Sequence, residues 1–407
     1  MLIEPIPARD AETLRHALIV TSLIQVAATA IALALTPIAP RAALDFGVGA
    51  HLVGYQISLI YFAGAIGSAT AGTLLHRFGA VRIEIVALAL FALGLTLLAT
   101  ARLPVAIFAS LLIGFGYGIQ NPASSQILGR VSPPHRRNII FSIKQAGVPI
   151  GAVVASFCFP MLDKAVGWRA AFPVLALLPL MLIWHLMRAH RDERHDYRGG
   201  ASLLRGLMQE QKLVWGRGEL RILSLLGLLY SAAQLSLSAF IVLMLVDNDG
   251  WPLIEAGAVA GVVQLFGAGG RVFWGWLADR AGSGFAILSF IGIASTAGML
   301  ALPWLPGMAT LVQIALLCAL GFCLSGWNGV AMAEIARFSP IGQTGRVMGG
   351  ALVYTFLGVM MGPSSFAVIY EHVRDYAQTF AIISVATGLG GVAAALMAMR
   401  VAQVRRV

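Results

Sequence analysis

The sequence predicts an all-α membrane protein, with twelve transmembrane helices arranged as two pseudo-symmetric six-helix bundles. Three observations carry that expectation. Of the 407 residues, 58% are hydrophobic and 11% charged, about half the charge usual for a soluble chain. The apolar residues arrive in runs of about 20, the length at which a helix crosses about 30 Å of hydrocarbon. The chain also echoes itself. GFGYGIQNPASSQILGRVSP at 114–133 meets GFCLSGWNGVAMAEIARFSP at 321–340 without a gap. Gly114, Phe115, Asn121, Arg130, Ser132 and Pro133 fall on Gly321, Phe322, Asn328, Arg337, Ser339 and Pro340. The runs lack strand-type alternation, which argues against a β-barrel.

In chain order, the spans are expected near 17–38, 51–75, 83–101, 104–128, 139–162, 170–188, 221–246, 255–278, 284–303, 308–335, 347–370 and 377–399. Glu4, Arg9, Asp10, Glu12 and Arg15 precede the first run, and no small-residue cleavage site follows it. The first span is therefore expected to stay rather than leave as a signal peptide. Pro149 in GVPIG and Pro363 in MGPSS mark bends in the fifth and eleventh spans. The polar stretch 188–221 separates six spans from six and reads as a solvated linker with a short surface helix. The expected division is an N-terminal bundle over 1–188, a linker over 189–220 and a C-terminal bundle over 221–407.

The net charge of +10 follows topology and does not indicate nucleic-acid binding. With the N-terminus inside, most Lys and Arg fall at cytoplasmic loops and helix ends, and only Arg41, Arg102, Lys164, Arg169 and Arg374 fall outside. This positive-inside bias puts both termini in the cytoplasm and the protein in the cell (inner) membrane. Cys158, Cys318 and Cys323 lie within spans and are expected as reduced, packed thiols.

The two halves share more than the opening echo. GAIGSATAGTLLHRFG at 64–79 aligns with GAGGRVFWGWLADRAG at 267–282, and Ser22-x-x-Gln25 mirrors Ser231-x-x-Gln234. Six spans per half make this a parallel repeat, which places a site near the midplane where the halves face each other. Twelve spans in two similar halves, a Gly-x-Leu-Ala-Asp-Arg-x-Gly loop after the eighth span and GWRAAF opening the sixth together resemble the major facilitator superfamily of transporters. The resemblance implies gating roles for Gly275, Asp279, Arg280 and Gly282, and for Arg77 and Gly79 in the first-half copy. In that copy His76 stands where the family usually has aspartate. The resemblance also implies that the fifth and eighth spans pack across the halves.

An ionisable group in hydrocarbon is costly and is a functional candidate by default. Two basic residues lie well inside spans, Arg271 in the eighth and Lys144 in the fifth, each about 10 Å from the cytoplasmic boundary. The carboxylates nearest a span interior, Glu84 and Glu334, are expected at cytoplasmic ends, with Glu334 paired to Arg337 at (i, i+3). The expectation is that the cargo supplies the counter-ion, a carboxylate held by the fork of Arg271 with Lys144 as a second charge. Two other readings stay open: Lys144 extending toward the headgroups, and Arg271 satisfied by a carbonyl or by Asp279. GGRVFWGWLADRAG also resembles the eighth span of oxalate–formate exchangers and monocarboxylate transporters, where this arginine contacts a substrate carboxylate.

Asn121 and Asn328 lie near the midplane on stripes of small residues and are expected to line the cavity beside Gln25, Gln120, Gln234 and Trp327. The same stripes also suit simple helix packing. Tyr61, Tyr230 and Tyr354 are further candidates to donate to a carboxylate. No enzyme motif or metal-ligand cluster is present, and Gly-x-Gly in GFGYGI lacks the strand a nucleotide site needs. No cofactor is implied. The expected function is alternating-access transport of a small organic anion, a monocarboxylate first, by a monomer in the lipid bilayer. Proton symport is compatible, because a weak acid brings its own proton. The alternatives are an exporter of drugs or apolar metabolites and a membrane solute receptor.

Overall fold

The structure is a computed structural model and describes residues 8–48, 50–189 and 203–404. Residues 190–202 of the expected linker lie outside the described residues. The first six spans are built from α1 (Ala8–Ala32), α3 (Ala50–Phe78), α4 (Ala80–Leu98), α5 (Leu103–Val131), α6 (Arg137–Val166) and the pair α7 (Trp168–Leu175) and α8 (Leu177–Ala189). A short helix, α2 (Ala39–Phe46), joins the first two spans, and α9 (Leu203–Trp215) follows the sixth. The last six spans are α10 (Gly218–Leu243), α11 (Leu253–Ala281), α12 (Gly284–Ala301), the pair α13 (Thr310–Leu324) and α14 (Trp327–Phe338), α15 (Thr344–Val373) and α16 (Tyr376–Val404). Twelve segments are thus long and apolar enough to cross a membrane, and no strand occurs among the described residues.

The glycine stripes of the echo resolve into helix packing. A Cβ added at Gly118 of α5 would lie 2.1 Å from the Gly64 carbonyl oxygen of α3, and one at Gly114 would lie 2.3 Å from that of Ile60. In the second half, a Cβ at Gly321 of α13 would meet Val263 of α11 at 2.4 Å. Backbones this close exchange dispersion contact that no larger residue permits, which is what holds helices together where lipid is as apolar as they are. The repeated segment is therefore repeated first because the same helix pair is built twice.

The tenth span departs from the expected single helix. It breaks at Ser325–Gly326, where Gly326 N–H bonds to Cys323 O in place of Phe322 O. The Phe322 carbonyl accepts instead from the Trp274 indole N–H at 3.0 Å, and a Cβ at Gly326 would strike the same indole at 2.1 Å. Irregular backbone at membrane depth survives where neighbouring protein groups satisfy it. The break makes Trp327 and Asn328 the first residues of α14.

The halves join on the side that carries α9. Gly275 of α11 and Gly329 of α14 pack on Ser142 of α6, while Gly349 of α15 packs on Ser68 of α3 and Gly345 on Leu75 and Gln126. Ser68 also donates to the Gly349 carbonyl at 3.0 Å.

Candidate functional site

The polar side chains gather where α5 and α6 of the first half face α11 and α14 of the second. Arg271 is 2% exposed. Its Nη1 donates to the Gln145 carbonyl oxygen at 2.7 Å, its Nε has no partner, and the group that acts on its charge is the Tyr117 phenol of α5. No carboxylate faces it among the described residues. The Gln145 side chain turns away from that bond, donating to Asn121 Oδ1 at 3.1 Å and to the Met332 sulfur of α14. Asn121 Oδ1 also accepts from Lys144 Nζ. Arg271, Gln145, Asn121 and Lys144 thus form one connected chain across the interface.

Lys144 corrects an expectation. Its ammonium is fully buried and bonded to Asn121, so it is not extended toward the headgroups. Glu84 is fully buried beside Ser124, and neither of its oxygens has a hydrogen-bond partner. The physical reason lies at Gly79, whose φ of +83° turns the chain so tightly that α4 starts at Ala80. Glu84 then sits a full turn inside the helix, against α5 and α6, and not at a solvated end. Glu84, Gln145 and Tyr117 were missed as site residues; the usable signal was the position of Glu84 only five residues after a turn glycine.

The other expected residues scatter. Gln25 is fully buried where α1 packs against α6, and both of its amide atoms lack partners. Gln120 donates to Ser124 within α5 at 3.3 Å. Trp327 Nε1 donates to Gln234 Oε1 at 3.0 Å, joining α14 to α10, and Asn328 Oδ1 is buried without a partner. Tyr61 packs in an aromatic cluster with Tyr117 and Phe356, which spans the two halves. Two tyrosines leave the cavity. Tyr230 donates to the Leu288 carbonyl at 2.9 Å and wedges among α10, α12 and α16, because Gly292 and Gly390 open room for its ring. Tyr354 belongs to the α9 contact, accepting from Trp215 Nε1 at 2.6 Å and donating to Gln211 Oε1 at 2.9 Å.

Beyond Gln234, a cavity of about 180 Å³ is lined by Ser238, Gln264, Gly261, Gly321 and Ser325. Gln264 precedes Arg271 by seven residues on α11, two turns along one face.

The residues expected to gate divide by half. Asp279 accepts from Asn138 N at 3.0 Å, Asn138 Nδ2 at 2.9 Å and Ile139 N at 2.8 Å. A carboxylate from the end of α11 therefore satisfies the orphan donors at the start of α6. Gly275 makes room for that approach, and Gly282, at φ +67°, ends α11. Arg280 lies over the Trp276 ring at 5.6 Å, and Arg77 over Phe78 at 5.1 Å. Arg337 Nη1 pairs with Glu334 Oε1 at 3.3 Å beside a cleft of about 350 Å³ that Asp279 and Arg137 also line.

Two halves of six spans, latched by a loop carboxylate around a buried cationic interface, define a membrane carrier. The profile of the Major Facilitator Superfamily matches residues 18–363, and the chain belongs to that superfamily. The 3-(3-hydroxy-phenyl)propionate transporter of Escherichia coli is 29% identical over 323 residues, 76% of each chain. The gallate transporter of Pseudomonas putida is 24% identical over 385 residues, 81% of this chain and 84% of that one. An uncharacterized MFS-type transporter of Mycobacterium tuberculosis is 23% identical over 62% of this chain, and the match spans 56% of that relative's length. The Escherichia coli fucose:proton symporter superposes with a TM-score of 0.77 at 16% identity, covering 94% of this chain and 97% of that one; that likeness is one of fold.

Proposed function

We propose that the chain is a secondary transporter of an aromatic monocarboxylate carrying ring hydroxyls, moved by alternating access and coupled to protons. One observation carries the reading: Arg271 is a buried guanidinium at the interface of the halves that faces no carboxylate among the described residues and keeps an unpaired Nε. A charged group held without a counter-ion in a low dielectric is costly, and a substrate carboxylate offsets that cost with charge-assisted hydrogen bonds. The ring is assigned by two further facts. The cavity near Gln264 holds about 180 Å³, and about 150 Å³ suffices for a benzene ring. One of its amides, Gln264, lies two turns, about 10 Å, from Arg271 along α11, a spacing suited to a phenol at one end and a carboxylate at the other. The substrates named for the two similar transporters, 3-(3-hydroxyphenyl)propionate and gallate, are acids of that build.

Glu84 is the proton carrier in this reading. Its buried oxygens are without hydrogen-bond partners, and the nearby network runs from Lys144 through Asn121 and Gln145 to the carbonyl that holds Arg271. Occupation of Arg271 by a carboxylate competes for the guanidinium with the Gln145 carbonyl, so binding and proton uptake share one connected structure. With both termini cytoplasmic, the joined face is the cytoplasmic one.

The test is uptake of radiolabelled 3-(3-hydroxyphenyl)propionate and gallate into proteoliposomes. Arg271→Ala is expected to lower uptake by roughly 10–100-fold, the worth of a charge-assisted hydrogen bond, and Arg271→Lys by less. Undiminished uptake by the alanine variant removes the arginine from the mechanism.

A further inference from the structure

The two loop copies are not alike, and the structure shows what fills the difference. In the second half, Asp279 reaches across to the first turn of α6, one residue past the start of that helix. The equivalent position in the first half is His76, four residues after Gly72 just as Asp279 is four after Gly275. A histidine does not offer a carboxyl group to the seam between α3 and α15. Yet the space beside Gly72 is filled by a carboxyl group. A Cβ added at Gly72 would lie 2.4 Å from Glu210 Oε1 and 2.7 Å from Arg346 Cα.

Glu210 comes from α9, the helix of the linker, and is fully buried. Its Oε1 accepts from Thr73 Oγ1 of α3 at 3.4 Å, and Arg346 of α15 is the cation acting on it. The neighbours of Glu210 on α9 hold the second half directly. Gln209 Oε1 accepts from Arg346 Nη2 at 2.9 Å, and Gln211 Nε2 donates to the Gly350 carbonyl at 3.2 Å. Trp215 donates to Tyr354 at 2.6 Å, and Val214 is fully buried beside Gly350. A surface helix solvated on all sides makes none of these contacts. The surface helix expected in the linker is, over 208–215, packed by one face across the seam between α3 and α15, with Glu210 and Val214 buried and Met208 and Trp215 exposed.

We propose that Glu210 supplies, from the linker helix, the acid that the first-half loop lacks at His76, so that α9 is the second latch of the gate between α3 and α15. Asp279 latches α11 to α6 from within its own loop, and Glu210 latches α3 to α15 from the connection between the halves. Closing the gate on this side then requires α9 to be docked, and undocking α9 frees the α3–α15 seam while leaving the α11–α6 seam latched. The assignment is independent of the cargo.

Ser68, buried between α3 and α15 and bonded to Gly349, is the reporter. In a chain whose three native cysteines are replaced, Ser68→Cys is alkylated with N-ethylmaleimide, and its rate reads opening of that seam. Glu210→Ala is expected to raise the rate about tenfold, the worth of a buried hydrogen bond together with the packing of the side chain that makes it. Adding His76→Asp to Glu210→Ala is expected to return it to within about twofold of the parent, because the acid is restored from the loop. An unchanged rate in Glu210→Ala overturns the proposal. So does a raised rate that His76→Asp fails to reverse, which is the signature of general unfolding. Hydrogen exchange of the parent protein gives a second reading: protection of the 208–215 amides comparable to that of α15 supports the docked latch, and exchange at the rate of a solvated helix refutes it.

Discussion

Arg271 donates to the backbone carbonyl of Gln145 across the interface of the two halves, at 2.7 Å. A carbonyl carries only a partial charge, so the bond positions the guanidinium without neutralising it. On the proposed function, this leaves the arginine's charge for an anionic substrate. Ligand binding should show as stabilisation: an aromatic carboxylate at about 100 times its Kd adds about 2.7 kcal/mol. The expected rise in Tm is about 2–4 °C, and it should vanish in Arg271→Ala. Thermal unfolding in detergent with and without 4-hydroxybenzoate measures it, and an equal shift in both proteins would contradict the assignment.

Glu84→Gln should separate coupling from movement. The amide fills the same volume and holds no exchangeable charge, so accumulation driven by an inward proton gradient is expected to fall by about tenfold or more. Exchange of labelled for unlabelled substrate is expected to continue. Loss of both activities together would make Glu84 structural, and retention of gradient-driven accumulation would remove it from coupling.

Asp279→Ala removes the acceptor of three hydrogen bonds at the start of α6. The loss of an N-terminal cap is worth about 1–2 kcal/mol, which corresponds to roughly 5–30-fold in the population of the open seam. Ser142, buried beneath Gly275, reports it: alkylation of Ser142→Cys should accelerate by that factor. A rate within twofold of the parent would show that this seam is held by packing alone.

Glu210 makes the α9 dock sensitive to pH. Burial pushes its carboxyl up to about 8, while Arg346 and the hydrogen bonds at Thr73 and Gly72 pull it down. The other ionisable groups near it are His76 and Arg77, one turn further along α3, and Lys212 on α9 itself. A raised pKa means that the docked state favours the protonated acid. Docking is therefore strongest below the ordinary glutamate value of 4.5 and weakens as pH rises through about 8. Alkylation of Ser68→Cys in the parent, divided by that in Glu210→Gln, should climb between about pH 5 and about pH 8 and level off above that. The quotient cancels thiol ionisation, and a flat quotient would count against the titration.

Gly118 sits where α5 crosses α3, its would-be Cβ 2.1 Å from a backbone oxygen. Backbone cannot swing aside as a side chain does. Gly118→Ala should cost about 1–3 kcal/mol by overpacking, read as a Tm lower by several degrees, whereas Gly257→Ala, with nothing within 4 Å of its added Cβ, should leave Tm unchanged. Equal Tm values for the two variants would mean that the helices separate at no cost.

The positions of the helices were legible because hydrophobic run length and glycine or proline punctuation act locally. The expected span 104–128 and the observed Leu103–Val131 differ by a few residues. Arg271 was legible for a related reason: a guanidinium two turns inside an apolar run has few innocent explanations. Glu84 was not, since whether a carboxylate at the edge of a run is solvated depends on where a tight turn starts the helix and on which neighbours cover it. Tyr230 and Tyr354 looked alike as mid-span phenols, and only the partners Leu288 and Gln211 distinguish them. The echoed glycines pointed to a repeat, while the break at Ser325–Gly326 came from an indole on another helix.

Amino-acid order alone decided that this chain enters a bilayer as twelve helices in two matched sets with an arginine inside the eighth span, because transfer of side chains to hydrocarbon is a local, additive free energy. Only the packed molecule decided which charges find partners. Lys144 meets Asn121, Asp279 meets α6 and Glu210 meets α3, while Arg271 meets no carboxylate among the described residues. Electrostatic energy inside a protein depends on distances between helices far apart in the chain, and those distances exist only after the helices have packed.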